Sequence, residues 1–538
     1  RGLGDVYKRQ LALLMGGLFS FSGCTDNFES DNELKGAFNE EAQSYDRQKY
    51  TMPLEVVQSG IYFQYNWGDG LNWPWQLTQS LQHDMFSGYF HDPTAKFNDK
   101  NSVYNINTGW SNAAWNYTYQ YIFPAIYKAE LNTKDVEEAI QYYCIGKILK
   151  VELMHRIADS YGPIVYSKFG NGEANAVDTQ QEAYMAFFKD LDAGIEALDK
   201  YLADGGNDAI FNAHDMMNAK GIKGWIKFAN SLRLRLAIRI SNVDKTTATA
   251  QTKKALENPY GVLENSQDII QVSGRGYTNP LYGVAGWGEV YMGASMASLL
   301  NGYEDPRREK WFNKATLAGH TDKWIGIPQG VLMREGDPSY YSGYSAFNAI
   351  SGETTPAILM TAAEIWFLRA EAALRGLTTE DVKVCYETGV KSSFAQWKVD
   401  GVNDYLASDK KPVGYVDYVP ASGGKDMDAL ITITPKWDDG ATPEVQLEQI
   451  ITQKWLACFP ESYEAWSEQR RTGYPKLFKV QTNNSGGTID TEIMIRRLPF
   501  STDDADKDPA QYGFLKAALG GADNGGTRLW WDAGQNRF

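Results

Sequence analysis

Residues 364–376 read EIWFLRAEAALRG, and the spacing inside this stretch decides the fold class. Trp366, Arg369, Ala370 and Ala373 follow the order large, large-small, small at intervals of three and four, which returns side chains to one helix face each turn. Gly376 closes the run, Leu-Thr-Thr-Glu supplies a threonine placed to cap, and DVKVCYETGVKSSFAQW (381–397) opens a second amphipathic helix. The stretch therefore predicts an αα-hairpin. The same order recurs more strongly at Tyr142, Ile145, Gly146 and Leu149, and at Trp225, Phe228, Ala229 and Leu232. These are the spacings of the first helix of a tetratricopeptide repeat, where a small residue admits a neighbouring helix and large ones fill the groove. Further pairs read at 134–160 with 179–203, at 215–242 with 246–257, and around 443–470. Their irregular spacing excludes a simple solenoid.

The expected fold is mainly α. Helix pairs form a scaffold over 46–257 and 357–480, and segments rich in Gly, Tyr, Asn and Pro cover 258–356, 400–440 and 480–538. Stretches of that length tend to carry function. A chain of 538 residues exceeds the size at which one core stops growing. Its aromatic content of 13% asks for an explanation beyond the core. A formal charge of −15 excludes nucleic acid as the natural partner, because phosphate binding rests on clustered Lys and Arg.

The start of the chain has its own pattern. Lys8 and Arg9 precede the apolar run LALLMGGLFSF, small residues follow, and then Cys24 and the polar TDNFESDNE. This predicts an export signal over 1–23, too short to span a bilayer, with Cys24 as the lipidated residue and 24–45 as a tether. Cys144 and Cys385 lie in apolar helical stretches and read as small buried hydrophobes.

Three segments form the candidate site. FQYNWGDGLNWPW (63–75) places Trp67, Trp73 and Trp75 among Asp69 and Asn72, with Gln76 following. A sugar ring needs a flat aromatic platform against its C–H face and polar groups at its rim, and this segment supplies both. Trp75 reads as core at a helix entrance; for Trp67 and Trp73 core packing and ligand contact both stand. GRGYTNPLYGVAGWGEVYMG (274–293) offers Tyr282 and Trp287 among glycines, again with burial as the other reading. REGDPSYYSGYSAFN (334–348) adds Arg334, Asp337, Tyr340, Tyr341 and Tyr344, or else forms a solvated hairpin tip. The three are carried forward as one ligand-binding site. The aromatics Phe86, Tyr89, Phe90, Trp110, Trp115, Tyr119 and Phe123 recur at helical spacing and read as core.

Catalytic motifs are missing from the sequence: there is no G-x-S-x-G and no H-E-x-x-H among the five histidines. Asp504, Asp506 and Asp508 mimic half of a calcium loop, but Pro509 and Leu515 replace its glycine and bidentate glutamate. No metal or cofactor is expected. Two carboxylates at glycosidase separation are invisible in sequence, so an exported helical glycoside hydrolase stands as one alternative and a peptide-binding or protein-interaction scaffold as another.

Four strings together resemble the SusD/RagB family of nutrient-binding outer-membrane lipoproteins, in its second, SusD-like branch. They are the lipoprotein start, EIWFLRAEAALRG, then ITQKWLACFPESYEAWSEQRRTGYPKL (451–477), and IRRLPF (495–500) with GGADNGGTRLWWD (520–532). Phe21 in the lipobox and FSTDDADKD after IRRLP depart from the family pattern. The resemblance implies a tetratricopeptide-like scaffold with a loop-rich ligand-binding part and no catalysis. It also implies a lipid anchor in the outer membrane facing the exterior, and a SusC-like TonB-dependent β-barrel transporter that receives captured glycan or peptide.

Overall fold

Helix starts in this chain are written by short polar side chains. Thr179 caps one helix in a reciprocal box with Glu182, Asp244 caps the next, and Thr361 and Thr442 cap two more. The computed structural model describes residues 47–62 and 73–534, nearly all within one unit, Tyr50–Phe538.

Chain order gives α1 (Gln48–Gly60), a turn at Trp73–Trp75 that widens into a π-helix (Gln76–Asp84), then β1 (Phe90–His91), α2 (Thr108–Tyr117) and α3 (Phe123–Thr133). The long helices α4 (Ile140–Tyr161), α5 (Gln180–Ala203), α6 (Ile222–Arg239) and α7 (Lys245–Leu256) follow. Next come β2 (Ile269–Val272), α8 (Pro280–Gly286), β3 (Tyr291–Met292), α9 (Ala294–Gly302) and β4 (Ala357–Thr361). The chain ends through α10 (Ala362–Leu374), α11 (Val382–Trp397), α12 (Pro443–Ala457), α13 (Ser462–Thr472) and α14 (Pro509–Leu519). Both described sheets are two-stranded and antiparallel, β1 on β3 and β2 on β4, the second with a bulge between Ile270 and Gln271.

The predicted helix pairs form. α4 packs on α5, α6 on α7 and α10 on α11, while α12 leads through a cis Phe459–Pro460 bond into α13. Tyr142, Ile145 and Leu149 are buried, and Gly146 lies against α1, where an added Cβ would touch Leu54 at 3.4 Å. The deciding hairpin forms with two differences from its reading. Asp381, not a threonine, caps α11 by accepting from the Val384 N–H. Trp366, Arg369 and Ala373 sit at the edge of α10, with the Arg369 guanidinium 3.8 Å from the Trp366 ring centroid. Ile365, Phe367, Leu368 and Ala372 face inward instead, and the close approach is at Gly389 of α11, where a Cβ would stand 2.8 Å from the Phe367 ring.

The loop-rich segments are more structured than expected. They contain α8, α9 and α14, each short and obscured in sequence by glycine and tyrosine. Asp508, read as part of an acidic turn, caps α14 by accepting from Gln511 N–H at 2.9 Å, with Pro509 at the first helical position. The C-terminal strings lock onto the scaffold. Trp531 is fully buried and donates to Asp159 on α4 at 2.8 Å, and Asp532 pairs with Arg496 at 2.7 Å.

At the centre α4, α6, α10, α12 and α13 share a buried network of charges. Arg235 on α6 grips Glu364 on α10 through two bonds of 2.7 Å. Arg239 reaches Glu464 and Glu468 on α13, which also hold Lys454 of α12 at 2.6 and 3.2 Å. Arg471 pairs with Glu371 and Glu468, each at 2.6 Å. Glu152 on α4 is the weakly matched member: Arg235 is 4.0 Å away and neither carboxyl oxygen has a hydrogen-bond partner. Burial pushes its carboxyl up to about 7, against the opposing pull of Arg235 and Arg156.

Folding therefore binds a proton at Glu152 between its ordinary value of 4.5 and about 7. This contribution to stability is present at low pH and is lost as pH rises across that window. Glu152→Gln is expected to remove that slope and leave stability at about pH 8 unchanged or higher. Glu364→Gln strands the Arg235 guanidinium and is expected to cost roughly 3–5 kcal/mol. Urea denaturation of both variants across the window checks the pair; equal losses would contradict the assignment.

Candidate functional site

Trp73 opens the turn that enters the π-helix, and Trp75, two residues on, is fully buried against Tyr62. Trp75 is core, as expected. Trp73 is 37% exposed and meets Tyr117 edge-on at 6.0 Å. Helix α8 packs on this turn and on the π-helix, and Trp287 stands at its C-terminal end with 49% of its surface open. A hydrogen bond from the Gln76 amide to the Glu289 carboxylate ties the two segments together, three residues beyond Trp73 and two beyond Trp287. Burial raises the Glu289 carboxyl, opposed by that bond and by Lys96.

Two residues missed in the sequence lie beside Trp73. Tyr117 and Tyr121 are half-buried, with ring centroids 6.4 Å apart, and lie between the core positions Trp115, Tyr119 and Phe123. The signal was present as a second i, i+4 row in WNYTYQYIF, offset by two from the buried row. Burial, with help from Tyr121, pushes the Tyr117 phenol up to about 12. The two packed segments thus carry exposed indoles at Trp73 and Trp287, phenols at Tyr117 and Tyr121 beside Trp73, and the Gln76–Glu289 pair between them. Such a set offers stacking surface and hydrogen-bonding rims. Trp67, Asp69 and Asn72 lie outside the described residues.

Tyr282 is half-buried, edge-on to Phe347 at 5.3 Å, and belongs to the rim of the main core. The third segment does not join the face. Tyr341 and Tyr344 are buried in a separate cluster with Ile325, Tyr415 and Phe478, which corrects their reading as exposed ligand contacts. The Tyr341 hydroxyl donates to Asp417 at 2.8 Å, and the Tyr344 hydroxyl accepts from the Tyr418 N–H at 3.0 Å. Tyrosines in this loop thus find buried partners, which local composition could not reveal. Tyr340 packs at the edge of that cluster. Arg334 and Asp337 are exposed, and their mutual backbone and carboxylate bonds of 2.8 and 2.9 Å close a hairpin tip.

The sequence profile described as "Susd and RagB outer membrane lipoprotein" matches residues 31–532. The chain belongs to the SusD-like family. A SusD homologue from Bacteroides vulgatus ATCC 8482 is 62% identical, with a TM-score of 0.90, covering 92% of this chain and 100% of its own. A chitin-binding SusD homologue from Flavobacterium johnsoniae is 36% identical, with a TM-score of 0.85 and coverage of 91% and 100%. One from Bacteroides uniformis ATCC 8492 is 33% identical, with a TM-score of 0.82 and coverage of 90% and 99%. No curated protein matches the chain. The family read from the four strings is the chain's own, and its mainly helical fold is that of these SusD homologues. Among the described residues no helix is long and apolar enough to cross a membrane.

If the exposed indoles carry no structural duty, Trp287→Ala and Trp73→Ala will each shift stability by less than about 1 kcal/mol. Trp75→Ala, by contrast, empties a core site and is expected to cost roughly 3–5 kcal/mol. Denaturant titration of the three variants measures the contrast.

Proposed function

We propose that this SusD-like protein captures glycan on the face formed by Trp73, Tyr117, Tyr121 and Trp287 and passes it to a SusC-like TonB-dependent β-barrel. The observation that carries the reading is the pair of exposed indoles on segments tied by the Gln76–Glu289 bond. Two indoles left open to water on neighbouring segments mark a contact surface. A relative at 36% identity is named as chitin-binding, which makes chitin oligosaccharides the first probe. Arg334, Asp337 and Tyr340 lie on the loop nearest solvent in the third segment and act, in this reading, as peripheral contacts for a long chain. Trp67, Asp69 and Asn72, which precede Trp73 in the sequence, are proposed as further contacts for the same ligand.

Binding without hydrolysis is the expected activity, because among the described residues these segments present aromatic platforms with one acid, Glu289, held in a hydrogen bond with Gln76. Cys24 anchors the protein to the outer membrane, with the body outside the cell. An anchored capture protein raises the local ligand concentration at a transporter mouth, which is the gain expected of such a pairing.

Affinity electrophoresis of the soluble form, residues 25–538, through a panel of polysaccharides including soluble chitin derivatives tests the reading. Retardation by at least one glycan is expected, with about a tenfold loss of affinity in Trp287→Ala, equivalent to ~1.4 kcal/mol. Release of reducing ends from the bound polysaccharide would favour the glycoside hydrolase instead. Failure against every glycan, with Trp287→Ala without effect, would favour a peptide ligand or a scaffold role.

A further inference from the structure

A second concave site lies away from the indole face. It is a cavity of about 370 Å³ between α9, the turn at 322–326 and the segment 413–418, at the lower end of the volumes that hold small ligands. Its wall forms because Gly302 has no side chain: a Cβ there would fall 2.3 Å from the Lys411 carbonyl oxygen, so the 411–412 backbone lies directly on α9.

The charge on this wall runs against the charge of the chain. Arg308 lays its guanidinium 4.3 Å from the Trp324 ring centroid, and Lys314 places its ammonium 4.8 Å from the same centroid. Lys323 lies 4.7 Å from the Tyr418 ring and donates to its hydroxyl at 3.3 Å. Among the described residues none of these three cations makes an ion pair, and Asp322, exposed, is the only acid lining the cavity. The Arg308 Nε is buried with no hydrogen-bond partner, and Nη1 reaches Asn301 only at 3.4 Å. Trp324 is itself fixed by donating to the Phe312 carbonyl at 3.1 Å. In a protein of net charge −15, three cations held on aromatic rings beside a cavity, with no ion pair among the described residues, are charges without a counter-charge.

We propose that this cavity is a second binding site, one for a saccharide unit bearing a carboxylate or sulfate group. Arg308 and Lys323 would receive the anionic group by charge-assisted hydrogen bonds, and the Asn301 amide and the tyrosine hydroxyls would meet the sugar's hydroxyl rim. Ring faces of Trp324 and Tyr418 are already covered by cations, so the site selects by charge, whereas the indole face selects by stacking. The two sites are separately testable.

Binding of oligogalacturonate and of its carboxyl-reduced neutral counterpart would be compared by calorimetry at low salt, with sulfated and plain dextran as a second pair. At least one charged probe is expected to bind about tenfold more tightly than its neutral partner, and to weaken as salt rises. Arg308→Gln and Lys323→Gln should abolish that preference with unchanged thermal midpoints and unchanged retention on any glycan held at Trp287. Trp287→Ala should leave it intact. If Arg308→Gln unfolds the protein, Lys323→Gln alone decides. Equal affinity for charged and neutral probes, or preference retained in Lys323→Gln, overturns the proposal. So does inorganic sulfate competing as strongly as the charged saccharide, which would show an anion hole with no sugar recognition. Loss of neutral-glycan retention in Trp287→Ala with the charge preference retained would leave this site standing and show the two sites to be independent.

Discussion

Charged side chains removed from water must be matched or the fold fails, and in this protein that requirement falls on five helices at once. Arg235 and Arg239 on α6 look to Glu364 on α10 and to Glu464 and Glu468 on α13, while Lys454 of α12 and Arg471 of α13 complete the circuit. Glu464 and Glu468 each pair with cations on different helices, so shifting one helix leaves a charge uncompensated elsewhere. A buried pair is weak evidence for net stability, but it is strong discrimination against wrong packing. The network therefore fixes which helix faces which, and the apolar residues around it fill the space.

Adjacent residues of α13 divide this work. Arg471 turns to Glu371 and Glu468, whereas Arg470 lies 3.5 Å from the Trp466 ring centroid and donates to the Arg496 carbonyl at 2.8 Å. Through Arg496, Asp532 and Trp531 the C-terminal strings are joined to α13 and to Asp159 of α4. The π-helix at 76–84 closes the other side, with His83 stacked 3.6 Å from Tyr463. Because that helix is held by the scaffold, the turn preceding it is held too, and Trp73 is carried to the surface on a rigid base. Functional side chains placed on loops depend on such support.

The helix pairs were legible because each long helix repeats an apolar spacing over several turns; Thr179, Asp244 and Thr442 cap three of these helices in the structure. The weak copy at Trp366 and Arg369 misled, since a large residue at the right interval also fits an outward row when an arginine stacks on it. Short helices such as α8 and α14 escaped notice because a run of seven to eleven residues containing glycine carries too little periodicity to separate from a loop. Of the aromatic loops, Trp75 was placed in the core from its position at a helix entrance, and Tyr341 and Tyr344 were not. Their burial depends on Asp417, Ser422 and Tyr418, more than seventy residues away in sequence.

By itself the sequence determined a mainly helical chain, its family and the composition of its loops, because periodicity, capping and four specific strings are local quantities. Which aromatics stay exposed was decided only by tertiary structure. The segments carrying Trp73 and Trp287 are brought together by the packing of α8 on the turn and the π-helix, and Tyr344 is withdrawn by a backbone N–H from residue 418. An indole in a glycine-rich loop is equally compatible with either fate until the distant partners that cover it, or leave it open, are in place.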